Sequence, residues 1–210
     1  MNENSAKRES AHYDEYQNFA FHPKNILLAL LLISLTALFL SLSAAFVYSR
    51  VQNQQPPIRL PNIFIFNTLI LLASSATMVW AKRAYKADKT LQYQQALLIT
   101  LGLSLIFMIL QYIGWKTLFD QNIFINSSNS AGYLYVISGL HFAHVIGGLP
   151  FLGVFLWQAW RYMREPVTVL VYFSDPEKRL RLRLLTIYWH FLDGLWIYLV
   201  LFFWVNYLIR

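Results

Sequence analysis

Cysteine is absent from this chain, which excludes disulfides, thiolate metal sites and cysteine nucleophiles. Charge is scarce. Only 13% of the residues are Asp, Glu, Lys or Arg, against about 25% in a soluble domain. No internal repeat, Walker phosphate loop, dinucleotide-binding glycine pattern or serine elbow is present. The first 25 residues have no apolar core and no small-residue cleavage site, so they are not a signal peptide and read as a polar tail.

What the chain does have is long apolar blocks. Ile26–Tyr48, Ile63–Ala81, Ala96–Trp115, Gly132–Trp160 and Leu184–Leu208 each reach the length of about 18 or more residues that a membrane helix needs. Little is left over for a soluble domain. In hydrocarbon every backbone polar group must be satisfied within a helix or a closed barrel. Barrel strands are about ten residues long and alternate in polarity, which these blocks do not. The expectation is an all-α integral membrane bundle of five transmembrane helices over residues 26–210, preceded by the tail of residues 1–25.

The net charge of +7 is distributed as topology rather than as a nucleic-acid surface. With five helices, the tail, the 82–95 loop and the 161–183 loop share one side. That side carries Lys7, Arg8, Lys24, Lys82, Arg83, Lys86, Lys89, Arg161, Arg164, Lys178, Arg179, Arg181 and Arg183, whereas the other carries Arg50, Arg59, Lys116 and Arg210. Basic residues near helix ends favour the cytoplasm. The N-terminus is therefore expected inside and the C-terminus in the periplasm.

Small residues at spacing four, Ala37, Ser41 and Ala45 in the first block and Ala73 and Thr77 in the second, predict tight packing of both helices. "SDPE" (174–177) has the pattern of a capping box with proline in the first turn, so the last helix is expected to start near Asp175. The following "EKRLRLRLL" alternates Leu with Lys or Arg, and fits either an amphipathic entry at the headgroups or a solvated collar.

"SGLHFAHVIGGL" (138–149) places two histidines inside the fourth block. At about 100° per residue, Gly139, Ala143 and Gly147 form one small-residue face for close packing. His141 and His144 form a second, polar face. In "YWHFLDGLW" (188–196), His190 and Asp193 share a face of the fifth block. Asp193 is the only acid deep in any block, and an intramembrane carboxylate normally has a partner. By helix rise, Asp193 and His144 differ by roughly 7 Å in depth, a gap the two side chains span directly or through water. Three roles remain open for His141, His144, His190 and Asp193: metal or haem ligation, a proton path, or a hydrogen-bonded cluster that fixes helix packing and holds a lipid headgroup. No HExxH motif is present, and two histidines with one acid do not visibly span the membrane. The residues themselves therefore favour the structural role. Asn67 and Gln111, each about a turn inside the outer surface, read as interhelical hydrogen-bonding groups. Trp80, Trp115, Trp157, Trp160, Trp204 and Tyr207 form an aromatic belt.

"NTLILLASSATMVWAKRA" (67–84), "LIFMILQYIGW" (105–115), "SGLHFAHVIGGL" (138–149) and "YWHFLDGLWIYLVLF" (188–202), in that order, resemble subunit III of haem–copper terminal oxidases, and the resemblance runs from about residue 26 to 208. It implies the five-helix form found in many bacterial oxidases, hence a bacterial inner membrane, with the N-terminus cytoplasmic. It also implies a non-catalytic subunit with no metal or cofactor of its own. Haem and copper would sit in subunits I and II. Subunit III would pack chiefly on subunit I, contact subunit II and further respiratory subunits, hold phospholipids, and support proton uptake and durability during turnover. On this resemblance the four polar residues are structural or lipid-binding. Many members carry an acid in the helix matching the first one here, where this chain has Leu35, so any role of that carboxylate is not expected. The electron donor, cytochrome c or quinol, is read by other subunits. Rival readings are the accessory subunit of a nitric oxide reductase system, a small multi-pass transporter, which would need broken helices or repeats, and a membrane haem protein.

Overall fold

A computed structural model describes residues 22–55, 58–163 and 165–209. The expected polar tail lies outside them, apart from its last four residues. Five long apolar helices able to cross a membrane are present: α1 (Pro23–Gln52), α2 (Ile63–Lys86), α3 (Thr90–Asp120), α4 (Asn129–Tyr162) and α6 (Pro176–Leu208). A short helix, α5 (Pro166–Ser174), joins α4 to α6. Among the described residues there is no strand. Most of the long helices run past the apolar blocks at one or both ends, because polar and aromatic end residues extend a helix into the headgroup region without entering hydrocarbon. The 161–183 segment contains α5, which was not expected, as well as the first turns of α6, which was expected to start near Asp175.

The chain divides into two compact units, residues 1–38 and 39–210. In the first, the described part is the opening half of α1, with Leu27, Leu30 and Ile33 exposed and the Thr36 hydroxyl turned back to Leu32 O at 2.8 Å. In the second, α2 lies along α3, α3 along α4, and α6 against both α2 and α4. These four helices form a closed ring of contacts. The second half of α1 adds Phe39 and Phe46, whose rings meet His144 and Tyr133 on α4 and Phe202 and Phe203 on α6.

Helix ends are closed without glycine. Gln54, Asp88 and Asn122 take left-handed φ values of 47°, 54° and 60°. Each is followed by a residue whose N–H reaches back five positions: Gln55 to Arg50 O at 3.2 Å, Lys89 to Ala84 O at 3.0 Å and Ile123 to Leu118 O at 3.0 Å. This satisfies carbonyls that a helix terminus otherwise leaves bare. α6 does begin at the SDPE sequence, but the cap differs from a capping box. Asp175 is the N-cap, and its carboxylate accepts from the N–H groups of Glu177 and Lys178 at 2.9 and 3.4 Å, with Pro176 at the first helical position. In the next turns Leu180, Leu182 and Leu185 are buried while Arg179, Arg181 and Arg183 are exposed, so the alternation serves to dock α6.

α5 is fastened by aromatic rings. Tyr85, Tyr93, Tyr172 and Phe173 meet largely edge to face at 5.1–6.4 Å. The Tyr85 hydroxyl donates to Tyr172 O at 3.0 Å, and the Lys178 ammonium stands 4.1 Å over the Tyr172 ring, a favourable cation–π arrangement. Burial pushes the Tyr172 phenol above its ordinary value of 10.0, since low-polarity surroundings disfavour the phenolate.

The packing faces differ from those expected. In α1, Ala37 and Ser41 are exposed and the buried face is Phe39, Ser43 and Phe46. In α2, Ala73 is exposed, and the buried stripe is Asn67, Leu71, Ser74, Met78 and Ala81. In α4, Ala143 and Gly147 are exposed, and a Cβ added at Gly139 or Gly147 would meet nothing within 4 Å. The close approach is made one residue on, at Gly148, where an added Cβ would stand 3.0 Å from both the Trp189 and Tyr188 rings. Four-residue spacing alone does not say which face meets a neighbour. The rings on α6 decide that.

Gly148→Ala should therefore destabilise the protein by about 1–3 kcal/mol through overpacking. Gly147→Ala should be neutral or stabilising by up to about 1 kcal/mol from helix propensity alone. Thermal midpoints of the two variants of the purified chain in detergent separate these outcomes.

Candidate functional site

The site is built from polar side chains that α2, α3, α4 and α6 carry into the spans. Asn67 on α2 and Gln111 on α3 are both fully buried, and the Asn67 amide donates to Gln111 Oε1 at 3.1 Å. Two amides in an apolar surrounding find each other, in keeping with their similar inset from the ends of the apolar blocks. About three turns further along the same helix pair, the Thr77 and Thr100 hydroxyls meet at 2.8 Å.

The four residues expected as one cluster occupy three settings. His141 is fully buried. Its ring lies 5.0 Å from Trp196, tilted, and 6.0 Å edge-on from Phe107, and neither ring nitrogen has a hydrogen-bond partner among the described residues. It engages its neighbours through ring faces. His144 is half-buried, with Nδ1 2.7 Å from Leu140 O on its own helix. A carbonyl can only accept, so Nδ1 carries the proton. The Phe39 ring packs edge-on against it at 6.2 Å.

His190 and Asp193 do come together, beside Ser75 on α2. His190 Nδ1 is 2.7 Å from Ser75 Oγ, and the Asp193 carboxyl lies near the same hydroxyl. A hydroxyl has one proton and accepting lone pairs. It can accept from His190 and donate to Asp193, leaving Asp193 Oδ2 buried without a partner among the described residues. No hydrogen bond links Asp193 to His144 among the described residues. Helical depth placed the two at compatible heights, but the rotation of α6 turns Asp193 toward α2 rather than α4.

Three further contacts were not read from the sequence. The Trp189 indole donates to Ser74 Oγ at 3.1 Å, and the Trp115 indole to Ser138 Oγ at 3.1 Å. The Tyr188 hydroxyl donates to His144 O at 2.9 Å. A signal was present: serines spaced along apolar helices, together with Trp189 well inside its block and Trp115 at the end of its own. Serine, however, also satisfies itself on its own helix, as Ser104 does on Thr100 O at 2.7 Å, so the pattern does not name a partner.

Among the described residues no three His, Asp or Glu side chains converge into a ligand set for a metal ion. Ser75, His190 and Asp193 can orient a proton and join two helices. His141, set among aromatic rings, can fill space and present a polarisable edge.

These features define a class: a multi-pass α-helical membrane protein whose intramembrane polar groups are spent mainly between helices. The family model for cytochrome c oxidase subunit III matches residues 6–207, and the chain belongs to that family. It is similar to cytochrome c oxidase subunit 3 of Yarrowia lipolytica, 28% identical over 141 residues that cover 67% of this chain and 48% of the relative. For the proteins of the same description from Pelomedusa subrufa and Pan troglodytes the identities are 33% and 30%. The matches cover 65% and 68% of this chain, and 48% and 49% of the relatives. The chain spans about half the length of these curated relatives, all of them eukaryotic.

A double-mutant cycle tests the central amide pair. Asn67→Leu and Gln111→Leu alone should each cost about 1–3 kcal/mol by stranding the other amide. Their coupling should be about 0.6 and at most about 1.7 kcal/mol. Reversible unfolding in mixed micelles measures it.

Proposed function

We propose that this chain is the accessory, non-catalytic subunit III of a proton-pumping haem–copper terminal oxidase, a complex that reduces oxygen to water in aerobic respiration. It packs on subunit I, lies near subunit II and further respiratory subunits, holds phospholipid, and supports proton uptake and durability during turnover. Haem and copper belong to the partner subunits. The proposed location is a bacterial inner membrane, and the concentration of Lys and Arg at one end of the helices supports a cytoplasmic N-terminus. The observation that carries the reading is the family match along residues 6–207. The use of several polar side chains supports it: Asn67 with Gln111, Thr77 with Thr100, Ser74 with Trp189 and Ser75 with His190 join one helix to another.

In this reading His141, His144, His190 and Asp193 are structural or lipid-binding groups, with the buried His141 and Asp193 on the structural side. Ser75, His190 and Asp193 hold α6 to α2, and Asn67 and Gln111 hold α2 to α3. Gly139, Ala143 and Gly147, free of neighbours within the chain, offer a smooth strip to another subunit.

A mild-detergent pull-down of tagged chain from its native membrane, with a haem spectrum, copper analysis and mass spectrometry, tests the assignment. Co-purification of a haem- and copper-containing subunit I is expected. Haem without copper would point to a nitric oxide reductase system instead, and non-respiratory partners would remove the oxidase reading. Asp193→Asn should weaken assembly or turnover stability more than it lowers the initial rate of oxygen consumption. Loss of the initial rate in an intact complex would instead give Asp193 a direct part in proton movement. His141→Ala should leave the haem and copper content of the complex unchanged, as elemental analysis would show.

A further inference from the structure

At the end of the bundle away from the Tyr85–Tyr172 rings, a groove of about 610 Å³ opens between the start of α2 and the end of α6. Ile65 and Leu69 form one wall and Ile197, Val200 and Leu201 the other. Arg59, just before α2, and Trp204 and Tyr207, in the last two turns of α6, also line it.

Two arginines stand at this end, in different situations. Arg50 is spent: its guanidinium donates to the carbonyls of Asn206 and Ile209, closing the C-terminus of α6 where a cation is favoured. Arg59 is exposed, and no carboxylate pairs with it among the described residues. An apolar slot roofed by a free cation and belt aromatics matches a molecule with a long hydrocarbon tail and an anionic head. An acyl chain is far thinner than a helix with its side chains, which is about 10–12 Å across, and fits lengthwise between the two walls.

We propose that this groove binds one phospholipid. Its acyl chain lies against Ile65, Leu69, Ile197, Val200 and Leu201. Its phosphate is held by the Arg59 guanidinium, which matches phosphate oxygens with paired donors. Trp204 and Tyr207 sit at headgroup level, where amphipathic rings are favoured. The inference rests on the reading of this chain as a lipid-holding oxidase subunit and gives that lipid a place and a headgroup contact.

The test uses the purified complex in nanodiscs containing phosphatidylglycerol with a diazirine in its acyl chain. After illumination, adducts are mapped by peptide mass spectrometry, and the haem spectrum of the same sample is recorded. Labelling is expected to concentrate on the 65–69 and 197–201 segments. Arg59→Glu should lower it about tenfold, as loss of a charge-assisted hydrogen bond implies. Arg59→Lys should keep most of it. Val200→Trp, which fills the slot, should lower it without changing charge. Lys116→Glu, a cation outside the groove, should leave it intact. Labelling spread evenly over lipid-facing helices and insensitive to Arg59→Glu and Val200→Trp would mean annular lipid only and overturn the proposal. So would protection of both segments by another subunit. A missing haem spectrum with groove labelling intact would reject the oxidase reading and leave the lipid site standing.

Discussion

Trp189 sits where α2, α4 and α6 meet. Its indole N–H is satisfied by Ser74 on α2, and its ring occupies the space left open by Gly148 on α4. Each half of this arrangement needs the other. A buried indole N–H without an acceptor is costly where no water is available. The acceptor is reached only because α4, with no side chain at residue 148, lets the ring through. The positions of His190 and Asp193, one and four residues along α6, follow from this seating and bring both side chains to Ser75, the neighbour of Ser74.

The same device recurs at every contact of the four-helix ring. α2 and α3 are laced by Asn67–Gln111 and Thr77–Thr100, and α3 and α4 by Trp115–Ser138 and by the Gln94 amide on Ala159 O. The Tyr188 hydroxyl on His144 O joins α4 to α6. Between helices in lipid there is little hydrophobic drive, because the tails outside are as apolar as the side chains inside. Packing and such lateral hydrogen bonds must supply the specificity. This is also why the intramembrane polar residues here read better as joinery than as chemistry, in keeping with the accessory role proposed for the chain.

The two ends of the ring are finished differently. One carries the edge-to-face tyrosines, α5, and Arg and Lys side chains pointing outward. The other has few cations, one of which, Arg50, is consumed in closing α6. That difference was visible as a charge count. Its consequence, a solitary Arg59 over an apolar slot, was not, because the count gives no partner to either arginine.

The sequence by itself determined the class of fold. Five long apolar blocks leave helices as the only way to satisfy their backbones in hydrocarbon, and no folding detail can change that. It also sufficed to mark Asn67 and Gln111, since two amides at similar depth in neighbouring helices have few alternatives to each other, and to place the start of α6 at Asp175. Only the tertiary structure decided which faces meet. Small-residue spacing in α4 suggested Gly139, Ala143 and Gly147, yet the close contact is at Gly148. Helical depth suggested His144 as the companion of Asp193, yet Ser75 holds it. Spacing fixes which residues share a face of a helix. The rotation of that helix about its own axis is set by the fit of large rings into gaps on its neighbours, a property of several helices together that no single stretch of sequence contains.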